Sequence, residues 1–573
     1  MLASFVGNDI VRQVVGLAMK PVAFAFALAA SAVSAIAEPS LMQIRLKSEH
    51  TQTDAQWAKT FKILRDNRAA CDEVWFSTGT GYPALEWHRE HARRLAQYAG
   101  QLRSVGIVPS LQFQATIGHD DHTFKAGLGA DGKTWSGFTG RGGTECRYCG
   151  CPRQAGFLAY YREAGRIYAA FHPAWVWIDD DLRVAGHDPG SPWSKAKDGW
   201  IGCWCKTCIA AFNAETGGNW TRETLDEAMK VDPGLYDRWE KFSFDGIAAV
   251  ARAMAEEIHK VSPETRLAYQ HGPYRNDSQL AVYRALYDAT GLGTGGRLGG
   301  GAYYDMNPHG QMVKAFDAAR QCRCLGNPRW VEAWCAEVET WPRAFASRTA
   351  QSLLDEAFAS LVVGMNCLSF LIMDPKIEED EWYGENLLSP LAVERPLLEA
   401  YWRSCMGTVP AGFADATGAP SDALYNFALA GVPVMPGPGM ACGEVTNADL
   451  AGFDIRKMSS SALVDLRRKM DERSGGKAPI VVETPSVGLF LPRVTPEGVL
   501  RSVAVVNARI DVQKPVKLRL RNVPASVKTA TWWAFHGKGV SLPVERIANG
   551  DAAVVIPALS ACNCGWLDLT EVE

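Results

Sequence analysis

The 573-residue sequence has no excess of charge of either sign: 59 Lys and Arg against 63 Asp and Glu leave a formal net charge of -4. A protein that grips nucleic acid presents a strongly basic field, so that class is set aside. Long apolar runs are missing too. Past residue 37 no stretch approaches the roughly 20 apolar residues of a membrane-spanning helix, so no membrane partner is expected. Internal repeats and low-complexity linkers are absent, which argues against solenoids and tethered modules. The composition that remains, 47% hydrophobic and 21% charged, is that of an ordinary globular protein long enough for two or three domains.

The N-terminus has the layout of a secretory signal: Met19-Lys20, an apolar run over 22–33, then Ala35-Ile36-Ala37 before Glu38-Pro39. Residues 1–37 are expected to be removed, with 1–18 an upstream extension, and the mature product to be periplasmic or secreted. From 38 to about 407, short β-branched or aromatic runs alternate with longer helical patterns. Strands are predicted at 41–46, 73–78, 108–116, 175–181, 266–271, 293–303, 329–339 and 367–373, with helices such as 84–105, 236–261 and 348–363 between them. Eight strand–helix pairs predict an α/β fold, a (β/α)8 TIM barrel. Two connections, 118–154 and 184–235, are far longer than usual and leave the C-terminal ends of strands, the face on which barrels build active sites. Residues 408–486 read as a small α/β domain and 487–573 as an antiparallel β-sandwich.

The fourth predicted strand ends in three consecutive carboxylates, Asp179-Asp180-Asp181, followed by Leu182-Arg183. Gathering acids at an apolar strand end is costly, which points to chemistry; capping of the next loop or cation binding is the alternative. Simple alternation puts Asp179 and Asp181 on one face and Asp180 on the other, unless a bulge intervenes. The seventh strand carries Glu337 and Glu339 near its end, flanked by Trp334 and Trp341. Acids from strands four and seven face each other across a barrel mouth, as a retaining glycosidase requires of its acid/base and its nucleophile. Trp residues, 19 in all, supply flat faces for stacking on sugar rings. Other strand-end candidates for the pocket are Gln114, His119, Arg183, His271, Tyr303, Tyr304, Trp382 and Tyr383.

Cysteines form a second signal, Cys146-x2-Cys149-x-Cys151 in the first long connection and Cys203-x-Cys205-x2-Cys208 in the second. This spacing suits a structural tetrahedral zinc, with disulfides as the alternative in an exported protein. No His at ligand spacing accompanies them, so no catalytic cofactor is expected.

Together these features resemble the clan A glycoside hydrolases, in particular family 42 β-galactosidases and family 164 β-mannosidase-like enzymes. The resemblance spans most of the mature chain. It implies a barrel followed by a flavodoxin-like trimerisation domain and a small β-sandwich, a homotrimer, and a glycoside or oligosaccharide substrate of β-galactoside or β-mannoside type. It also implies a zinc held by Cys203, Cys205, Cys208 and one upstream cysteine, for which Cys146, Cys149 and Cys151 all qualify. By position it places the acid/base within Asp179–Asp181, Asp180 ahead of Asp181, with Asp179 left to touch substrate. The nucleophile falls on Glu337, with Glu339 the alternate. The clan usually has Asn-Glu where this sequence has only aspartates. That departure also admits a catalytically silent carbohydrate-binding barrel, or a metal-dependent hydrolase using the aspartates.

Overall fold

The structure, a computed structural model, describes residues 39–570 apart from 80, 115, 118–134, 186–200, 272–278, 306, 377–379, 508 and 510. Eight short apolar runs form the strands β1 (Met42–Arg45), β2 (Glu73–Ser77), β3 (Val108–Phe113), β4 (Trp175–Ile178), β5 (Arg266–Gln270), β6 (Thr294–Leu298), β7 (Val331–Glu339) and β8 (Cys367–Leu371). They pair in parallel in chain order, and β8 returns to β1, closing the barrel. Several helices between the strands start at capping residues. Asp232 accepts from Leu235 N ahead of Pro233–Val261, and Thr349 accepts from Ser352 N ahead of Ala350–Val362.

Trp75 and Trp177 stack inside the barrel with ring centres 4.2 Å apart, and Trp175, Ala268, Ala333, Cys335 and Cys367 complete an apolar layer around them. This layer explains the glycine-rich β6. A Cβ on Gly295 would lie 3.1 Å from the Trp177 ring and 3.1 and 3.2 Å from the Cβ atoms of Ala268 and Ala333. Two stacked indoles fill this layer, so the facing strands carry only small residues there, Gly, Ala and Cys, and packing overrides the poor strand propensity of glycine.

One alternation toward the C-terminal ends of the strands, the interior turns polar, with Arg45, Gln112, Asp179, Gln270, Arg297 and Glu337 all buried. The two long connections rise from this side. The first contains a hairpin of Gly137–Thr139 and Glu145–Gly150, the second the helices Lys206–Thr216 and Arg222–Val231.

Beyond the barrel, strand Val409–Asp415 pairs in parallel with Val434–Met435 and Met440–Val445 and is accompanied by helices Ser421–Ala428 and Ser460–Arg473. The same strand pairs antiparallel with Leu489–Val494, so the α/β segment and the terminal antiparallel sheet are one continuous sheet. Ile480–Val482 instead joins Val516–Leu520 in a second, four-stranded sheet, and an apolar core fills the space between. Strands are therefore exchanged across residue 487. Asp415 locks this region to the barrel by accepting Arg320 Nε at 2.9 Å and Arg323 Nη2 at 2.6 Å, both on the helix Pro308–Cys324.

Candidate active site

Strand β4 ends at Ile178, and the three aspartates enter a turn. Leu182 N donates to Asp179 O at 3.0 Å and Asp181 N to Asp179 Oδ1 at 3.2 Å, so strand alternation stops at Asp179. Asp179 points into the barrel, where its Oδ2 accepts Gln112 Nε2 at 2.5 Å and Gln270 Nε2 at 3.4 Å. Burial, then the charges of Asp180 and Asp181, push its carboxyl up to about 8 against the pull of Arg297 and Arg45. Asp180 is the most exposed of the three and reaches two guanidinia, Arg183 Nη2 at 3.1 Å and Arg297 Nη2 at 3.7 Å. Asp181 is buried, 3.1 Å from Arg183 Nη2, and bears on the buried phenol of Tyr161. The turn thus turns Asp181, one of the two expected candidates for the acid, aside toward Arg183 and leaves Asp180 at the mouth.

Glu337 projects from β7 into a nest of cations. Arg297 Nη1 is hydrogen-bonded to Oε1, Arg45 Nη1 lies 3.7 Å from the same oxygen, Lys314 Nζ lies 3.4 Å from Oε2, and Tyr303 donates to Oε2 at 3.4 Å. Burial on its own would raise this carboxyl, but the charges of Arg297, Lys314 and Arg45 outweigh it and hold the group below the usual carboxylate range. Glu339 has Arg45 at 3.4 Å and Arg343 at 3.3 Å, yet burial and the neighbouring Glu337 charge raise it. Glu337 is the better anion of the pair.

Arg297 therefore touches acids from both strands, Glu337 and Asp180. Two symmetrical arms extend the network. Arg45 Nε donates to Gln112 Oε1 at 3.3 Å and Arg297 Nε to Gln270 Oε1 at 3.0 Å, and both glutamines donate onward to Asp179. Arg45, Gln112, Gln270, Arg297 and Lys314 escaped the sequence reading. For Arg297 a signal existed: it stands one alternation beyond Gly295, on the inward face of a strand whose glycines mark close packing.

The other expected residues divide. Tyr303 meets Glu337, and Trp341, about half exposed, covers Arg343 with 4.8 Å from guanidinium to ring centre, at the rim beside exposed Tyr304. Gln114 is hydrogen-bonded by Ser77 at the same rim. Arg183 is buried and donates to Asp180 O at 2.6 Å, so it positions the aspartates instead of facing substrate. His271 is also corrected: it is buried outside the barrel, 2.9 Å from Gln279 Nε2 and 3.4 Å from Tyr283, because alternation turns Gln270 inward in its place. Tyr383 is a fastener, donating to Arg343 O at 2.6 Å and Asp374 O at 2.9 Å, with Trp382 packed edge-on against it. His119 lies outside the described residues.

The sulfurs of Cys151, Cys203, Cys205 and Cys208 lie within 4.8 Å of one another. Cys151 Sγ is 3.6 Å from Cys205 Sγ and 3.5 Å from Cys208 Sγ, close to the edge of about 3.8 Å expected for four thiolates at zinc distances. Cys203 Sγ also accepts Thr139 N at 3.3 Å, the outer-shell support that ligating groups use. Cys149, expected among the ligands, is not in this group. It lies within the hairpin strand that ends at Gly150, and Cys149 and Cys146 bear instead on the buried Tyr82 phenol. Among the described residues no cysteine pair forms a disulfide. One oxygen from each of Asp179, Asp180 and Asp181 also falls within 4.8 Å of the others, but Arg183 already meets the charge of Asp180 and Asp181.

No protein-family model matches the chain, and no curated protein matches it in sequence. Solved structures do match in shape. Alpha-L-fucosidase isoenzyme 2 from Paenibacillus thiaminolyticus superposes with a TM-score of 0.57 at 10% identity, over 93% of this chain and 100% of that one. Gan42B, a GH42 β-galactosidase from G. stearothermophilus, does so with a TM-score of 0.55 at 9% identity, over 92% of this chain and 98% of that one. The likeness runs through the barrel and the sheets behind it, and the chain has the fold of these glycoside hydrolases.

Proposed function

We propose that the chain is a retaining glycoside hydrolase with Glu337 as nucleophile and Asp180 as acid/base. The observation that carries this reading is Arg297, whose guanidinium lies against carboxylates from the ends of both β4 and β7, Asp180 and Glu337. Glu337, kept ionised by three cations, attacks the anomeric carbon and forms the glycosyl–enzyme bond while Asp180 gives its proton to the departing glycosidic oxygen. Water then replaces the enzyme at that carbon, losing its proton to Asp180 and releasing Glu337. Proton and nucleophile both come from side chains, so the reaction calls for no catalytic cofactor. One observation favours a second assignment on the same barrel: Asp179 has the raised carboxyl that an acid needs.

Substrates of β-galactoside or β-mannoside type fit this reading, and the fucosidase of like fold adds α-L-fucosides. The test is a panel of activated aryl glycosides of these classes, with a 2-fluoro analogue of any that turns over. Expected is release from one class, a covalent adduct on the Glu337 peptide, and loss of roughly three or more orders of magnitude in Glu337→Gln. Near-normal activity in that variant would overturn the assignment.

The same reading includes a structural zinc on Cys151, Cys203, Cys205 and Cys208, supported by their near-tetrahedral spacing. One zinc per chain, lost together with the melting transition on Cys208→Ser, is the expected result. Export with cleavage before Glu38 rests on the signal-like sequence of 1–37, and a homotrimer on the family resemblance. N-terminal sequencing of the product and light scattering test these two.

A further inference from the structure

Lys314 lies in the middle of the helix Pro308–Cys324, a place where lysine ordinarily faces water, yet it is 6% exposed. Its Nζ sits between two buried carboxylates, 3.4 Å from Glu337 Oε2 and 3.1 Å from Glu356 Oε1, and lies 5.0 Å from the centre of the Tyr303 ring. Burying an ammonium is costly unless its charge is used. Glu356 is itself fixed from behind, because Arg348 Nη1 is hydrogen-bonded to its Oε2 and donates onward to Glu339 O at 3.1 Å. The route of the lysine stem is also built. Gly299, just past β6 with φ +145°, has no side chain where a Cβ would meet Lys314 Cε at 3.1 Å and Glu337 Cβ at 2.9 Å.

The other cations around Glu337 have divided duties. Arg297 also serves Asp180 and Gln270, and Arg45 also serves Glu339 and Gln112. Among the cations of the described residues, Lys314 alone approaches Oε2, opposite the Oε1 that both arginines share. We propose that Lys314 is a positioning residue for the nucleophile: braced by Glu356 and Arg348 and admitted by Gly299, its ammonium holds the Glu337 carboxylate charged and in one orientation. This rests on the reading of Glu337 as nucleophile. The groups facing Glu337 are Arg45 from β1, Asp180 after β4, Arg297 from β6, Tyr303 after β6, Lys314 from its helix and Glu339 on its own strand.

The test needs a readout that does not depend on turnover. Carbodiimide with glycine amide labels protonated carboxyls, so labelling of the Glu337 peptide against pH, read by mass spectrometry, reports the charge of this group directly. In full-length Lys314→Met the labelling midpoint should rise by about one pH unit or more, as expected when an opposite charge is removed at this distance. The acidic limb of kcat/KM should move with it, while KM changes little and Lys314→Arg restores part of the shift. Should Lys314→Met fail to fold because Glu356 is left buried with Arg348 as its remaining cation, the double variant Lys314→Met/Glu356→Gln removes both charges and is read in the same way. An unchanged midpoint in a folded variant would overturn the proposal. A raised midpoint in a protein whose wild type hydrolyses no glycoside would sink the glycosidase reading and leave the hold of Lys314 on Glu337 standing.

Discussion

The carboxyls of Asp179 and Glu337, at the ends of β4 and β7, are of similar chemistry and similarly buried but are treated in opposite ways. Burial, and then the repulsion of Asp180 and Asp181, forces Asp179 up to about 8. Glu337 has three cations within 3.7 Å and is held down. Burial and neighbouring charge, and not residue type, set which carboxyl keeps its proton and which stays ionised. The contrast extends to folding. A carboxyl raised by the fold contributes stability below its unfolded value and loses it as pH rises, whereas one lowered by the fold contributes above its unfolded value and loses it as pH falls.

The severest way to break the contrast is Glu337→Gln, expected to cut kcat by roughly three or more orders of magnitude for every leaving group. Asp180→Asn should cost about 100-fold or more with poor leaving groups and far less with activated aryl glycosides, with azide restoring rate and giving a glycosyl azide. Azide rescue in Asp179→Asn instead would transfer the acid role to Asp179.

Asp179→Asn also probes the linkage. With a native value near 8 against an unfolded value of 3.8, the wild-type carboxyl loses stability progressively as pH rises from about 4 to 8. The variant should therefore gain on wild type between pH 5 and pH 9, on the order of 1 kcal/mol or more in urea titrations. An equal gap between the two proteins at both pH values would mean that Asp179 is ionised throughout. The mildest change is Arg343→Met, which strips a cation from Glu339 and none from Glu337. It should leave the acidic limb of kcat/KM in place, and a shift there would mean that the two glutamates act as one site.

The barrel was legible because its strands are apolar runs between long amphipathic stretches, and the acids were legible because carboxylates rarely end such runs. Their partners were not. Arg45, Gln112, Gln270 and Arg297 are polar residues in short strands, and whether each faces the interior follows from how the barrel closes. Asp181 was misplaced for a related reason: alternation was carried past Ile178 into a turn that the chain makes one residue later. Lys314 in a mixed helix looks like a solvated residue until its helix is docked. The cysteine cluster shows the limit at finer grain, since three candidates within six residues could supply the fourth sulfur and only the path of the hairpin selects Cys151.

The helix Pro308–Cys324 carries Lys314 against Glu337 and, six residues on, Arg320 against Asp415. At 1.5 Å per residue these contacts are about 9 Å apart along one rigid rod. The C-terminal sheets are thus mechanically geared to the Glu337 carboxylate: a chain cut after the barrel would keep every acid and yet lose the anchor that sets the depth of the rod, so domain-swapped chimeras with foreign C-terminal halves are expected to misplace Lys314 even where their barrels are intact.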